Sequence, residues 1–410
     1  NSGISLYALK KITQEKKVII SLHDPWFLTG RCVHFYDCDK WKTGCHKCQL
    51  KREYPKSFVF DSSARNYKLK KYLFSSLKNA TIVPVSQWLG NIVKESHLGA
   101  HNIKTINNGV DINLFKPTEH TKLRNNLGIG NKKILLGVAT EWSKRKGVKD
   151  YIELSKHLSE EYQIILVGID DNTKKELPSK IITIPKTNSQ LELAAFYSLA
   201  EIVLNLSYEE TFGMTTVEGF ACGTPSIGYN KTATPELITP QTGIIINEAG
   251  NIRSIIEAIE SISNNGKEYY TSACRARAVA LYNKDDRFNE YLELYEPYGI
   301  SEEEFNMMRV YNYTVLDDLP KEFFPEYIEA FKAMEKELNS KLLKRESTGI
   351  ALTEEGHKVL RFTQAVLKLH DNLIEELNSS PLPNDETITV FATNFFYKVF
   401  LIRFKIYLLI

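Results

Sequence analysis

The stretch EIVLNLSYEETFGMTTVEGFACGTPSIGY, residues 201–229, decides the fold. It begins with EIVLNL, an apolar run typical of a buried strand, and it ends with a second such run, PSIGY, at 225–229. Between them, residues 213–222 have the pattern of a helix that opens at a glycine. Strand, helix and strand in this order predict a parallel βαβ unit.

The same alternation extends in both directions from this unit. Further predicted strands are KILLGV (133–138), YQIILVG (162–168), KIITI (180–184) and GIIIN (243–247). Helical patterns lie between the strands, near 147–158, 189–199 and 251–262. This repeated βα pattern predicts an α/β fold with a doubly wound parallel sheet, which binds ligands at the carboxyl ends of its strands. The loop that contains TFGM lies at one of those ends.

Upstream of residue 112, the pattern predicts only part of another sheet. Its strands are KKVIISLHD (16–24), KNATIVPVS (78–86) and KTINNG (104–109). An independent nucleotide-binding domain normally exceeds the roughly 110 residues available here, and the sequence starts within a helical pattern. We therefore expect an amino-terminal truncation. The predicted domains are 1–112, 113–296 and 297–410.

The segment 297–410 differs in composition and is predicted to be a helical extension of unknown role. Apolar residues recur at three- and four-residue intervals between 359 and 377, on a helix that begins at Thr353. Packing against the rest of the protein is favoured over a partner-binding groove. The tail 389–410 is apolar but contains three cations, which favour a buried or membrane-surface element over a membrane-spanning helix.

Composition limits the function classes. The 410 residues are 43% hydrophobic and 25% charged, which is typical of a globular protein of two or three domains. With 52 basic and 50 acidic residues, the net charge of +2 gives no reason to expect a nucleic-acid partner. No leader and no apolar run of about 18 residues is recognisable. We expect a cytoplasmic protein, with peripheral contact at the inner face of the cell membrane as the alternative.

The opening of the helix near residue 213 is a candidate anion site. The amides of Gly213, Met214 and Thr215 lack helical acceptors, and together with the helix dipole they favour a phosphate. Glu210 and Glu218 flank this point, and a carboxylate that accepts two hydroxyls can hold a sugar or ribose diol. The alternatives are a first-turn charge for Glu210 and a solvated helix face for Glu218.

Two other loops follow predicted strands. EWSKRKG (141–147) places Arg145 and Lys146 at the carboxyl end of the sheet, where a diphosphate would neutralise them. The alternative is a solvated basic turn. INNGVD (106–111) contains the turn Asn108-Gly109, which is a donor-binding candidate or else only a loop.

A cysteine-rich insertion at 31–50 needs its own explanation. The stretch GRCVHFYDCDKWKTGCHKC (30–48) contains the thiols of Cys32, Cys38, Cys45 and Cys48, the last two in C-x2-C spacing. Four thiolates can form a tetrahedral structural zinc site, with His34 and His46 as alternative ligands. Reduced, buried or redox-active thiols are the alternative.

These motifs together resemble the family 4 retaining glycosyltransferases of the GT-B fold. The resemblance covers about residues 1–296, and the motifs occur in the family's order. The matching segments are SLHDPWFLTGRC (21–32), INNGVDINLFKP (106–117), RKG (145–147) and the run from 193 to 228. The spacing from Glu210 to Glu218 matches the family's E-x7-E donor motif.

The resemblance implies roles for individual residues. Glu210 resembles the glutamate that contacts the donor sugar, Glu218 the one that holds the ribose, and Lys146 with Arg145 the cations on the diphosphate. His23, after a strand, resembles the histidine that faces the reacting centre, although a histidine there is often only a satisfied polar residue.

The resemblance also implies a chemistry and a biological setting. The second domain would bind a nucleotide sugar and the first a carbohydrate or lipid-linked acceptor, in cell-surface polysaccharide biosynthesis. Cations and helix amides would stabilise the leaving diphosphate, with no cofactor required for catalysis.

The sequence also departs from the family pattern. Thr140 stands near a position where many members have an arginine, and the amino-terminal strand with its glycine-rich loop is absent. The alternative function is therefore a catalytically impaired GT-B remnant that acts as a binding module.

Overall fold

The computed structural model describes residues 10–11, 13–14, 17–50, 53 and 61–295, together with strands at 343–346, 349–352 and 387–392. The chain divides into two compact units. One unit consists of Asn1–Ile4, Tyr295–Thr387 and Asn394–Ile410, and the other of Ser5–Leu294 and Ile388–Thr393. The second unit contains every candidate site residue. It is built around two sheets, and we call the part around the amino-terminal sheet the first lobe and the part around the six-stranded sheet the second lobe.

The first lobe is a parallel sheet covered by short helices. Its strands are β1 (Lys17–Leu22), β2 (Ala80–Pro84) and β3 (Asn102–Ile103). Its helices are α1 (Lys40–Thr43), α2 (Ser63–Phe74) and α3 (Gln87–Glu95), and a 3-10 turn spans Pro25–Phe27. β1 is buried along nearly its whole length, which explains its continuous apolar sequence. The predicted strand at 104–109 is displaced, because the paired residues are 102 and 103.

The second lobe is a six-stranded parallel sheet that begins after helix α4 (Thr121–Leu127). Its strands are β4 (Lys133–Val138), β5 (Tyr162–Val167), β6 (Ile182–Ile184), β7 (Ile202–Asn205), β8 (Ser226–Tyr229) and β9 (Gly243–Ile246). Their order across the sheet is β6-β5-β4-β7-β8-β9. The predicted α/β doubly wound architecture is therefore confirmed.

Helices connect these strands and follow them. They are α5 (Val148–His157), α6 (Asp171–Glu176), α7 (Gln190–Leu199), α8 (Met214–Ala221), α9 (Thr234–Leu237), α10 (Ile252–Asn265), α11 (Lys267–Tyr282) and α12 (Lys284–Tyr295). The last of them contacts the first lobe, since the hydroxyls of Tyr291 and Ser21 are 3.0 Å apart. The domain bounds at 112 and 296 remain predictions.

The strand order determines where a ligand can bind. β4 and β7 are neighbours at the centre, and the chain leaves β4 towards β5 but leaves β7 towards β8. The loops after β4 and β7 therefore diverge and open a crevice at the carboxyl edge of the sheet. These are the loops that contain RKG and EETFG.

Three further strands lie in the carboxyl-terminal part of the chain that the structure describes. β10 (Leu343–Glu346) and β11 (Gly349–Leu352) form an antiparallel hairpin, and β12 (Thr387–Ala392) lies beside β1 in the sheet order. The predicted helix from Thr353 lies outside the described residues, as does most of the tail 389–410. Among the helices that the structure describes, none has the length and apolar character needed to cross a membrane.

Gly147 holds the two central loops together. It has a φ of +71°, and a Cβ built there would lie 2.1 Å from the carbonyl oxygen of Leu206, just beyond β7. An L side chain at this position would be strained by the positive φ and would also collide with backbone.

We expect Gly147→Ala to lower the free energy of unfolding by about 3 kcal/mol or more, since it adds a collision to the backbone strain. Gly128→Ala is the matched control, because Gly128 has a φ of +62° with nothing within 4 Å of a built Cβ. That control should lose only about 1 kcal/mol. Urea unfolding measures both, and equal losses would contradict the close approach to Leu206.

Candidate functional site

Backbone contacts join the loops after β4 and β7. The turn Lys144–Lys146 ends at Gly147, and the N–H of Tyr208 donates to the carbonyl of Arg145 at 2.8 Å. The Arg145 guanidinium in turn donates to the carbonyl of Glu209 at 2.9 Å. These contacts fix the RKG turn against the EETFG loop, as the strand order requires.

The predicted cations meet the predicted carboxylate in this crevice. Lys146 Nζ lies 2.5 Å from Glu210 Oε1, and Arg145 Nη1 lies 3.9 Å from the same oxygen. The side chains of Lys146, Arg145 and Glu210 are only 15%, 20% and 10% exposed. Burial raises the pKa of Glu210, whereas the positive charges of Lys146 and Arg145 lower it by a larger amount. The pKa of Glu210 therefore lies below its ordinary value. Glu210 is therefore an ion-paired carboxylate.

Gly213 begins α8 in a conformation that suits glycine. Its φ is +110°, and a Cβ there would lie 2.9 Å from Leu237 Cδ1. The amides of Thr216 and Val217 donate to the Gly213 carbonyl. Within the described part of the chain, the amides of Gly213, Met214 and Thr215 have no acceptor. The start of α8 thus offers three backbone N–H donors, and the first of them, at Gly213, lies three residues after Glu210 in the chain.

Glu218 lies further along α8 in a different environment. Its Oε2 accepts a hydrogen bond of 2.7 Å from the hydroxyl of Tyr197, and its side chain is partly exposed. Burial raises the pKa of Glu218 to about 7, and the Tyr197 hydrogen bond opposes this shift. The two glutamates of the E-x7-E spacing therefore differ in charge state near neutral pH.

His23 lies directly after β1, at the carboxyl edge of the first sheet. Burial lowers its pKa to about 4. The imidazole is consequently neutral at pH 7 and presents one donor and one acceptor nitrogen. Its role in facing the reacting centre remains a prediction.

Asn108 and Gly109 lie where the chain crosses between the lobes. A Cβ on Gly109 would lie 2.3 Å from Lys284 Cα. Beside it, the N–H of Val110 donates to the carbonyl of Tyr282 at 2.7 Å, and the N–H of Lys284 donates to the carbonyl of Val110 at 3.0 Å. The glycine allows this close crossing, while donor binding by Asn108 and Gly109 remains a prediction.

Glu209 is a residue that sequence reasoning missed. It is fully buried, and its carboxylate accepts the N–H groups of Phe35 at 3.2 Å and Tyr36 at 2.7 Å. His34 Nδ1 lies 3.4 Å from the same carboxylate. The glutamate doublet at 209–210 was the available signal, but only Glu210 fits the E-x7-E spacing. Glu209 fastens the cysteine-rich insertion of the first lobe to the EETFG loop of the second.

Glu236 forms a similar contact. Its carboxylate accepts the N–H groups of Gln87, at 2.9 Å, and Trp88, at the start of α3. Burial raises the pKa of Glu236, and these two hydrogen bonds oppose the shift. A carboxylate from the second lobe thus caps a helix of the first.

The four cysteines of the insertion line one cavity. Its wall includes Cys32, Cys38, Cys45 and Cys48. Among the residues that the structure describes, no three His, Cys, Asp or Glu side chains already converge where they would hold a metal ion. The structural zinc site remains a prediction.

Comparisons with known proteins identify the domain that contains this crevice. Residues 119–278 match the family described as "Glycosyl transferases group 1". An "Uncharacterized 41.2 kDa protein in cps region" of Klebsiella pneumoniae is 24% identical over 313 residues, which are 72% of this chain and 84% of that protein. The alpha-monoglucosyldiacylglycerol synthase of Acholeplasma laidlawii is 24% identical over 240 residues, which are 50% of this chain and 59% of the synthase.

A solved structure supports the same assignment at the level of fold. Anabaena Alr3699/HepE, in complex with UDP and glucose, matches with a TM-score of 0.54 and 18% identity, over 71% of this chain and 76% of that one. Residues 119–278 therefore match the glycosyl transferases group 1 family, and the chain has a fold similar to that of the Anabaena protein, with the parallel α/β architecture of the GT-B type.

Proposed function

We propose that this chain transfers a sugar from a nucleoside diphosphate sugar to a carbohydrate or lipid-linked acceptor, with retention of anomeric configuration. The observation that carries the proposal is the crevice between β4 and β7. There, Lys146 and Arg145 share one carboxylate oxygen of Glu210, close in sequence to the acceptor-free amides of Gly213–Thr215. Two cations that share one carboxylate oxygen, followed three residues later in the chain by acceptor-free amides at a helix start, suit a diphosphate.

The proposed chemistry is stabilisation of the leaving group. Negative charge grows on the diphosphate as the bond to the sugar breaks, and fixed cations and amides stabilise that charge without reorganising. Because Lys146 and Arg145 are already held in place, little ordering remains when the donor binds. The acceptor hydroxyl proton would pass to the departing phosphate on the same face, as the resemblance to retaining family 4 enzymes suggests.

The two glutamates would have separate tasks. Glu210, ionised and next to Lys146, would accept a hydroxyl of the donor sugar, and Glu218 would hold the ribose diol. His23, neutral at pH 7, would hydrogen-bond a sugar hydroxyl from the side of the first lobe. Each role follows the motif positions on which the family resemblance rests.

The relatives support the proposed setting. The Klebsiella protein is described as lying in a cps region, and the Acholeplasma enzyme as making a glucosyldiacylglycerol. The Anabaena structure contains UDP and glucose. We therefore propose a role in cell-surface polysaccharide or glycolipid assembly, in the cytoplasm at the inner face of the cell membrane where lipid-linked acceptors are presented.

A panel of nucleoside diphosphate sugars, offered with oligosaccharide and lipid-linked acceptors, tests the activity. Turnover of one donor with retained configuration in the product is the expected result. Binding of the nucleoside diphosphate in a thermal-shift titration without any turnover would instead favour the catalytically impaired binding module.

Lys146→Ala should lower kcat/KM by about 10²-fold or more, because it removes a fixed charge from the position of the leaving diphosphate. Lys144→Ala is the matched control, since Lys144 is an exposed lysine in the same turn and should keep nearly full activity. Initial rates with the accepted donor provide the measurement, and circular dichroism checks the fold. A fully active Lys146→Ala variant would refute the assigned role.

The affinity for a nucleoside should rise with pH, because the carboxylate of Glu218 accepts two ribose hydroxyls only when it is ionised. Its pKa of about 7 in the free protein places the change between roughly pH 6 and 8, with weaker binding on the acid side. A nucleoside without phosphate is the probe, since its own phosphate charge then does not vary. Glu218→Gln should flatten the profile, and an unchanged pH dependence in that variant would rule out the ribose contact.

A further inference from the structure

The cysteine-rich insertion has little regular structure of its own. Between Gly30 and Cys48 its one helix is the four-residue α1. A few residues of the segment are nevertheless buried, among them Cys32, Phe35 and Trp41. The segment contains no disulfide, and irregular cysteine-rich segments are often held by a bound metal. Hydrogen bonds to Glu209 and Asp61 hold parts of the loop, and its four free cysteines are available to hold the rest.

The four cysteines are among the eleven residues that line a cavity of about 20 Å³, whose wall also includes Arg31 and Lys40. That volume is enough for one water-sized particle. All four cysteines are unpaired as disulfides. Cysteines from both ends of the loop therefore line a space that is large enough for a single ion.

One sulfur pair already has the spacing that a tetrahedral metal requires. Cys32 Sγ and Cys48 Sγ are 3.9 Å apart. Four thiolates at about 2.3 Å from a central zinc ion lie about 3.8 Å from one another, whereas a disulfide requires about 2.05 Å. The pair thus matches one edge of a ZnS4 tetrahedron.

Neighbouring groups hold the other parts of the site. The N–H of Gly30 donates to Cys45 Sγ at 3.2 Å, the kind of contact that supports a thiolate ligand. The N–H of Cys48 donates to Asp61 Oδ2 at 2.7 Å. A Cβ at Gly30 would lie 2.9 Å from Cys45 Cβ and 2.3 Å from the carbonyl oxygen of Ser63, so only glycine permits this packing.

Of the two histidines that the sequence offered as alternative ligands, His46 lines the same cavity and His34 is not among its lining residues. His46 is exposed, and its Nδ1 lies 2.8 Å from the carbonyl of Gly44. His34 Nδ1 faces the buried carboxylate of Glu209 at 3.4 Å. The wall of the cavity thus contains four cysteines and one exposed histidine, and the sulfurs of Cys32 and Cys48 are the pair whose spacing already fits zinc.

We propose that Cys32, Cys38, Cys45 and Cys48 bind one structural zinc ion. Cys32 and Cys48 supply one edge of the tetrahedron, and Cys38 and Cys45 complete it by turning their Sγ atoms towards the shared cavity, as rotation about Cα–Cβ allows.

The ion closes the loop that presents the N–H groups of Phe35 and Tyr36 to Glu209. Its function is to hold that segment in the shape that docks on the EETFG loop of the second lobe. This goes beyond the proposed transfer reaction and does not depend on it.

The full-length protein, purified with a non-thiol reductant and without chelator, should contain about one zinc per chain by elemental mass spectrometry. Cys45→Ser and Cys48→Ser should each lose most of the metal. Cys274→Ser is the matched control and should keep it, because Cys274 is buried in the second lobe with its Sγ 3.7 Å from the Thr242 carbonyl.

Cobalt exchanged into the wild-type protein supplies a readout that does not depend on how the variants fold. Tetrahedral thiolate ligation should give thiolate-to-cobalt charge-transfer bands together with intense d–d bands. Less than about a tenth of an equivalent of zinc in folded wild-type protein, a Cys32–Cys48 disulfide by mass spectrometry, or full zinc retention in Cys45→Ser would each overturn the proposal. Both measurements omit sugar donors, so their outcome is independent of glycosyl transfer.

Discussion

The ion pair between Lys146 and Glu210 is the contact on which the site depends. It joins the loops after β4 and β7, which diverge at the centre of the sheet. A buried charge without a partner is costly, so Glu210 keeps the two cations in place before any ligand arrives. Arg145 approaches the same oxygen at a longer distance, which leaves positive charge available for an anion. The strand order thus produces both the crevice and the charge in it.

Carboxylates of the second lobe also fasten it to the first. Glu209 and Glu236 each accept two consecutive backbone N–H groups, from residues 35–36 and 87–88 respectively. Backbone amides offer the same donors whatever side chains they carry, so these contacts fix geometry without constraining the sequence of the partner segment. They fasten the cysteine-rich insertion to the EETFG loop, and the start of α3 to α9.

Local sequence predicted the second lobe well, because its strands are buried on both faces and read as continuous apolar runs. The same pattern placed Arg145, Lys146 and Glu210 at strand ends, and the structure brings them together. The role of Gly109 was harder to predict, since its close approach to Lys284 joins segments far apart in the chain. The role of Glu209 was not predicted for a similar reason. Its partners lie in an insertion with no periodic pattern, and only tertiary structure shows that a buried carboxylate meets them.

The proposed function requires that a diphosphate binds between Lys146 and the amides that begin at Gly213. A ligand-by-variant cycle tests it most directly, with calorimetric affinities of a nucleoside and its diphosphate for the wild-type and Lys146→Ala proteins. We expect the ratio of diphosphate affinity to nucleoside affinity to fall by about tenfold or more in the variant, while the affinity for the nucleoside stays nearly constant. An unchanged ratio would contradict the proposed function, since the phosphates would then bind away from Lys146.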